Sequence, residues 1–335
     1  MKGPQVFLVE TMRLGIIGTG GVGGYFGGLL ARAGLDVCFL ARGEHLRALK
    51  NGGLRVESEE PGGFTVRNAM FTSDPAEAGV CDTLLYCVKT TSNDTTIPAI
   101  APMMGDHSTV ISLQNGVDNG NRLADAYGER RVMEGLAYIF SGVARPGVVK
   151  QTGGPRKIIF GARDAQDHGK GQAILESLLH AGIRTEYSRA IRCDVWRKFI
   201  FICGVSGMTA LTRATIGEVM RYPETAQMTR RIMHETYLVA RTLEVPLPEG
   251  ADEACYGLIA QQNPDNRSSL SDDLASGRRL EIDSLCGFVS RQGKKHGLST
   301  PLNDFVYATL KLADLKVASE GSSADSLTGE HDADQ

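Results

Sequence analysis

Three groups of residues have types and spacings that could do chemistry. The first is the run Gly18-Thr19-Gly20-Gly21-Val22-Gly23, a G-x-G-x-x-G spacing that follows a short apolar stretch and opens a helical one. In that setting Gly18 permits a tight turn, Gly20 lets the backbone approach a pyrophosphate, and Gly23 lets the helix pack against the sheet. Thr19, Gly21 and Val22 complete the loop, and the free N–H groups and dipole of the helix start favour a phosphate. The alternative is a glycine-rich turn without a ligand. The second group stands at strand ends. Arg42 occupies the place where NAD-binding domains carry an acid, and a guanidinium there suits the 2′-phosphate of NADP. A solvated arginine is the other reading, and Glu44 close by weighs against the phosphate. Lys89 and Asn115 end two further strands, on the edge where ligands of open α/β sheets bind; each also suits a plain turn. The third is Lys198, which on a helix shares a face with Ile202, Val205 and Ser206 at i, i+4, i+7 and i+8.

The elements that must position these groups follow from hydrophobic periodicity. Apolar runs at residues 13–17 and 37–40 flank a helical stretch over 22–33, with Gly34 as its C-terminal stop, and together they form a βαβ unit. Continuous apolar runs at 83–88 and 110–113 read as parallel strands buried on both faces. Residues 54–71 read as β-structure with a turn at Pro61-Gly62-Gly63, and 147–151 and 157–161 as two more strands. After about residue 187 strand alternation stops. Helical periodicity covers 191–211, 224–243, 251–262, 278–296 and 301–317. The expected fold is α/β: a Rossmann dinucleotide-binding domain over 12–187, then an all-helical domain over 188–317. Residues 1–11 read as an extension before the second methionine, Met12. Residues 318–335, with almost nothing apolar, read as a disordered tail.

Composition excludes several classes. Of 335 residues, 42% are hydrophobic and 22% charged, with a formal net charge of −3. Nothing there favours a nucleic-acid backbone or a membrane surface as partner. The seven cysteines are scattered, odd in number and without a C-x-x-C pair, so they read as reduced thiols in a cytoplasmic protein. No His/Cys/Asp cluster has metal spacing, and no apolar run is long enough to span a bilayer. A homodimer is compatible with the helical half, but nothing requires one.

Read together, these blocks resemble the ketopantoate reductase (2-dehydropantoate 2-reductase) family, from about residue 12 to 316. The resemblance is carried by Leu14 to Gly23, by Leu40-Ala41-Arg42-Gly43 with Gly52-Gly53-Leu54 downstream, by Val88-Lys89-Thr90 and by Gln114-Asn115-Gly116-Val117. In the helical half it is carried by Trp196-Arg197-Lys198, by Ser268-Ser269-Leu270 through Asp273, and by Glu281-Ile282-Asp283 with Gly287-Phe288. It implies an NADP-dependent oxidoreductase acting on a CH–OH group. Its expected reaction is NADPH reduction of a small 2-oxo acid, ketopantoate to pantoate in pantothenate biosynthesis, and its expected second domain is of the 6-phosphogluconate-dehydrogenase C-terminal type. It also implies roles. Lys198 matches the catalytic lysine, and Glu281 a glutamate beside substrate and cofactor. Ser269 matches the serine that binds the substrate carboxylate. Arg42 and Lys89 match residues near the adenosine phosphate, and Asn115 an asparagine at the nicotinamide end that also meets substrate. The chain departs from the pattern at Ile202, Ser206 and Ile216, where the family carries asparagines. Ser206 remains a candidate substrate contact, whereas Ile202 and Ile216 suit a more apolar acid.

The residues support that chemistry. As an ammonium, Lys198 stabilises a developing alkoxide and then protonates it. Partial burial lowers its pKa, and Glu281 opposes that; the alternative is a solvated surface lysine. Glu281 would share a helical face with Leu285 and Phe288, with Arg278 as an ion-pair partner. Ser269 also reads as a helix N-cap, with Asp272 three residues on. His296 before Gly297 reads as a helix C-terminus, and Trp196 as a core anchor. Rival readings are a reductase for another branched or aromatic 2-oxo acid and a non-catalytic NADP-binding sensor. A Rossmann methyltransferase is disfavoured by Arg42.

Overall fold

The computed structural model describes residues 12–163 and 169–328. The extension expected over 1–11 lies outside them. By internal contacts the chain divides into two compact units. One is Met1–Gln114 with Asp118–Ile191, and the other Asn115–Val117 with Arg192–Gln335. The division falls a few residues after the expected 187. Past its last strand the first unit still holds the chain, because the Ser188 N–H donates to the Phe160 carbonyl at 2.8 Å.

The first unit is one sheet of ten strands: β1 (Arg13–Ile17), β2 (Asp36–Leu40), β3 (Leu54–Glu57), β4 (Phe64–Val66), β5 (Met70–Thr72), β6 (Cys81–Tyr86), β7 (Met104–Ser112), β8 (Val132–Arg145), β9 (Val148–Ala162) and β10 (Arg184–Tyr187). The order is β4-β3-β9-β8-β7-β6-β1-β2-β5, with β10 beside β9. Within it, β5-β2-β1-β6-β7-β8 pair in parallel. That is the Rossmann order, which reverses on either side of β1 and opens a crevice at the strands' carboxyl ends. Leu14, Ile16 and Ile17 of β1 and Phe39 of β2 are fully or nearly fully buried, as strands covered on both faces require.

Three differences from the expected strands have physical causes. The strands expected at 147–151 and 157–161 are one, β9. Gly153-Gly154-Pro155 interrupts the apolar pattern, but register shifts along the antiparallel β8–β9 pair absorb it, with Gly154 at φ +82° and Arg156 at +54°. Strand β8 was not anticipated although Val132 to Phe140 is largely apolar, because Glu134 and Gly135 break its run. Among the described residues strand β10 pairs only with β9, and no residue in it is fully buried, so no hydrophobic run announced it.

The second unit is helical as expected, around a core that includes Phe199, Ile200, Cys203, Met233, Val289 and Leu310. Its long helices are Ile191–Thr212, Pro223–Thr242, Cys286–His296 and Pro301–Thr328. Trp196 is the anchor expected, packed edge-on against Phe199 and Phe288. Gly297 caps Cys286–His296 in the left-handed conformation. The short helices Ile216–Arg221 and Ser269–Ala275 were not expected as separate elements. The disordered tail expected from 318 is corrected: the last helix runs on to Thr328. A helix already nucleated upstream propagates by one backbone hydrogen bond per residue fixed. Residues 329–335 lie outside those described. All seven cysteines are free, and no described helix is long and apolar enough to cross a membrane.

Candidate active site

The glycine turn leaves β1 at Gly18, whose φ of +95° only glycine adopts readily. The helix Gly21–Arg32 then begins, with Gly20 as its N-cap. A Cβ on Gly23 would collide with the Gly18 carbonyl, and one on Gly21 with the Ser141 carbonyl of β8. These two glycines therefore serve packing within the protein. Gly20 differs: a Cβ there would meet nothing within 4 Å. Its bare backbone faces open space at a helix N-terminus, the cradle a pyrophosphate needs. Ser141, whose carbonyl lies against the neighbouring Gly21, has a buried hydroxyl oxygen without a hydrogen-bond partner among the described residues. The residues present thus fit a dinucleotide. Val22, next in the helix, is half-buried.

Thr19 has a structural task. Its N–H and its hydroxyl both donate to the Leu40 carbonyl, at 3.1 and 2.9 Å, tying the turn to the end of β2. Directly after that end, Arg42 is exposed and is the N-cap of the helix Gly43–Gly52. Glu44, the residue that weighed against a phosphate, lies 3.8 Å from Arg47. His45 in the same helix accepts the Gly147 N–H on Nδ1 at 3.1 Å, and burial lowers its pKa, so the ring is neutral at pH 7. Lys89 is exposed beyond β6. Its strand end is locked to that of β7 by a buried polar chain. Gln114 donates to the Val88 carbonyl and to Asn93 Oδ1, both at 2.8 Å, and Asn93 donates to Asn119 at 3.0 Å.

Asn115 groups with the second unit. There Lys198 Nζ donates to its Oδ1 at 3.0 Å. Lys198 lies two turns inside Ile191–Thr212, not at its start, and is half-buried. Burial drives its pKa from the ordinary 10.5 down to about 8, against the opposing charge of Glu281. The structure therefore brings Lys198, Asn115 and Glu281 together, and the solvated-lysine reading fails.

Ser206, two turns further along the same helix, is buried. Ile202 is half-buried and Ile216 is 6% exposed in the core. Thr209, which the sequence did not single out, docks the Ser269–Ala275 helix on this one. Its hydroxyl meets Ser268 Oγ at 2.7 Å, and its carbonyl accepts from Ser271 Oγ at 3.3 Å. The cap expected at Ser269 is corrected to Ser268, whose oxygen accepts the Ser271 N–H. Ser269 is left exposed for another partner. Glu281 is also corrected in its setting. It opens the 3₁₀ turn Glu281–Ser284 rather than riding a helix with Leu285 and Phe288. Arg278, its expected partner, pairs with Asp273 at 2.9 Å, and its own N–H on the Asp273 carbonyl stops the Ser269–Ala275 helix. Among the described residues no cluster of three His, Cys, Asp or Glu could hold a metal.

Comparison with known proteins identifies the family. Residues 14–165 match the family described as ketopantoate reductase PanE/ApbA, and residues 190–314 its C-terminal part. A 2-dehydropantoate 2-reductase of Archaeoglobus fulgidus is 30% identical over 295 residues, covering 88% of this chain and 95% of that one. One of Mesorhizobium japonicum is 29% identical over 322 residues, covering 90% and 97%. The crystal structure of a PanE/ApbA family ketopantoate reductase from Ralstonia eutropha superposes with a TM-score of 0.84 at 32% identity, over 92% of this chain and all of that one. The chain belongs to the ketopantoate reductase family, oxidoreductases that act on CH–OH groups with a nicotinamide cofactor.

Proposed function

We propose that this protein uses NADPH to reduce the keto group of a small 2-oxo acid, with ketopantoate to pantoate as the leading reaction. The observation that carries the reading is the half-buried Lys198 ammonium, bonded to Asn115 at 3.0 Å, influenced by Glu281 and held near a pKa of 8. An acid of that strength is mostly protonated at neutral pH yet gives up its proton readily. A reduced nicotinamide dinucleotide, held by its pyrophosphate at the turn around Gly20, would supply the hydride for the carbonyl carbon. Lys198 stabilises the negative charge that builds on the carbonyl oxygen, then delivers a proton from Nζ to it and is reprotonated from solvent. Asn115 orients the ammonium, and Glu281 keeps it charged until the oxygen needs the proton. Ser269 offers an exposed hydroxyl to the substrate carboxylate, and Ser206 is the remaining candidate contact on the lysine's helix. Within the first unit the turn around Gly20 would cradle the pyrophosphate, with Gly18, Gly21 and Gly23 shaping it, and Arg42 with Lys89 favours the 2′-phosphate of NADP.

A second reading, a more apolar branched or aromatic 2-oxo acid, is favoured by the half-buried Ile202 in place of an asparagine, while Ile216, also in place of one, is taken up by the core. A hydroxyl facing isoleucine lacks a hydrogen-bond partner, and that weakens discrimination for a hydroxylated acid. The test is a panel of 2-oxo acids with NADPH and with NADH, followed optically. Turnover of ketopantoate preferentially with NADPH supports the first reading; preference for an apolar acid supports the second. Tight NADPH binding with no turnover on any acid makes the protein a dinucleotide sensor and ends both.

A further inference from the structure

The short turn that presents Glu281 is held by groups that lie outside the reducing centre. Asp314, in the last helix, is 0% exposed. Its Oδ1 accepts Arg279 Nε and the Leu280 N–H, both at 2.8 Å, and its Oδ2 accepts Arg279 Nη2 at 3.1 Å and Lys311 Nζ at 3.3 Å. Lys311 continues to Asp283 Oδ2 at 2.6 Å, while Asp283 Oδ1 accepts the Tyr307 hydroxyl at 2.9 Å. The Asp283 carbonyl accepts Arg291 Nη2 at 2.8 Å. On either side of Glu281, Leu280 and Ile282 are 0% exposed. Both flanks of one residue are thereby pinned.

We infer that Asp314, acting with Arg279, is a positioning residue that clamps the Glu281–Ser284 turn and so aims Glu281 at Lys198. The inference rests on the roles proposed above for Lys198 and Glu281. Stability alone does not account for the arrangement. A buried ion pair often contributes no more than a well-packed apolar pair of the same volume. What the charged version adds is geometry: a two-point guanidinium fork fixes direction as well as distance. Burial by itself would raise the Asp314 pKa, but the hydrogen bonds from Arg279 and Leu280 outweigh it, so the carboxylate stays charged. The last helix, remote in sequence from every motif, thus sets the placement of the group that opposes burial in setting the acidity of Lys198.

The test reads that acidity directly on the cofactor-free protein, by pH-dependent acetylation of Lys198 with acetic anhydride followed by mass spectrometry. Glu281→Gln sets the reference and lowers the Lys198 pKa by about one unit. Arg279→Lys keeps the charge and removes only the fork. It is expected to lower the Lys198 pKa by roughly half a unit, with no further fall when combined with Glu281→Gln. Tyr307→Phe, nearly isosteric, releases the other flank and is expected to give a smaller fall in the same direction. The inference is overturned if both variants fold and leave Lys198 at its wild-type acidity, or if the Arg279→Lys and Glu281→Gln shifts simply add. Should Arg279→Lys fail to fold, Asp314→Asn, which keeps the shape but removes the charged acceptor of the Arg279 fork, decides in its place, and an unshifted Lys198 overturns the inference. Turnover is scored separately. An enzyme inactive on every 2-oxo acid but showing these shifts loses the reductase reading and keeps the clamp.

Discussion

Lys198→Met should make the protein more stable while stopping the reaction. The lysine is held charged in a half-buried place that prefers it neutral. A fall from 10.5 to about 8, at about 1.4 kcal/mol per tenfold, places roughly 3 kcal/mol against the folded state at pH 7. Methionine fills the same volume without a charge. It forfeits the bond to Asn115, worth about 1 kcal/mol, so the net gain at pH 7 is about 2 kcal/mol. The sign depends on pH. Below about 8 the lysine is charged in both folded and unfolded chains, and the whole penalty is present. Between about 8 and 10.5 the folded protein binds fewer protons than the unfolded chain, so wild-type stability rises with pH and the advantage of methionine fades. Urea denaturation of both proteins at several pH values from 7 to 10, at fixed salt, measures this. A variant that is less stable than wild type at pH 7, or whose advantage does not shrink toward pH 10, refutes the description of Lys198 as a desolvated acid. The same titration predicts that wild-type kcat/KM falls as pH rises through about 8, when the proton donor is lost.

Other consequences separate ligand-serving from fold-serving residues. Gly20→Ala meets no protein atom and should cost at most about 1 kcal/mol as a changed N-cap. It should nevertheless weaken dinucleotide binding about tenfold or more by calorimetry, since the added methyl fills the cradle; unchanged affinity would falsify that placement. Gly21→Ala drives a methyl onto the Ser141 carbonyl and should lower stability by about 1–3 kcal/mol whether or not cofactor is present, visible as a lower Tm. Arg42→Ala should reduce the NADPH-over-NADH ratio of kcat/KM by about 10- to 100-fold, the worth of charge-assisted hydrogen bonds to a phosphate; an unmoved ratio removes Arg42 from the 2′-phosphate. Ile202→Asn should raise activity on ketopantoate relative to an apolar 2-oxo acid by about tenfold, measured as a ratio of kcat/KM values. A ratio that does not move takes residue 202 out of the substrate's surroundings.

Local order decides how much of this protein was legible in its sequence. The βαβ unit could be read because its signals are contiguous: an apolar run, glycines at fixed spacing, a helix and a second run all fall within β1 to β2. Buried parallel strands such as β6 and β7 carry their own apolar signature, and the helical half carries its own 3.6-residue period. Lys198, Glu281 and Asn115 could be named as candidates from their motifs. Sequence could not say that Lys198 is desolvated, since that depends on what covers it. Only tertiary structure decided which serine caps and which is free, because Thr209 must first bring its helix against Ser268. It alone assigned Arg278 to Asp273, and it alone placed Glu281 on a turn pinned by Asp314. Short-range patterns fix what a segment becomes, since backbone hydrogen bonds and side-chain periodicity act over a few residues. Burial, and the acidity and pairing that follow from it, are set by neighbours tens or hundreds of residues away, whose arrival no local pattern records.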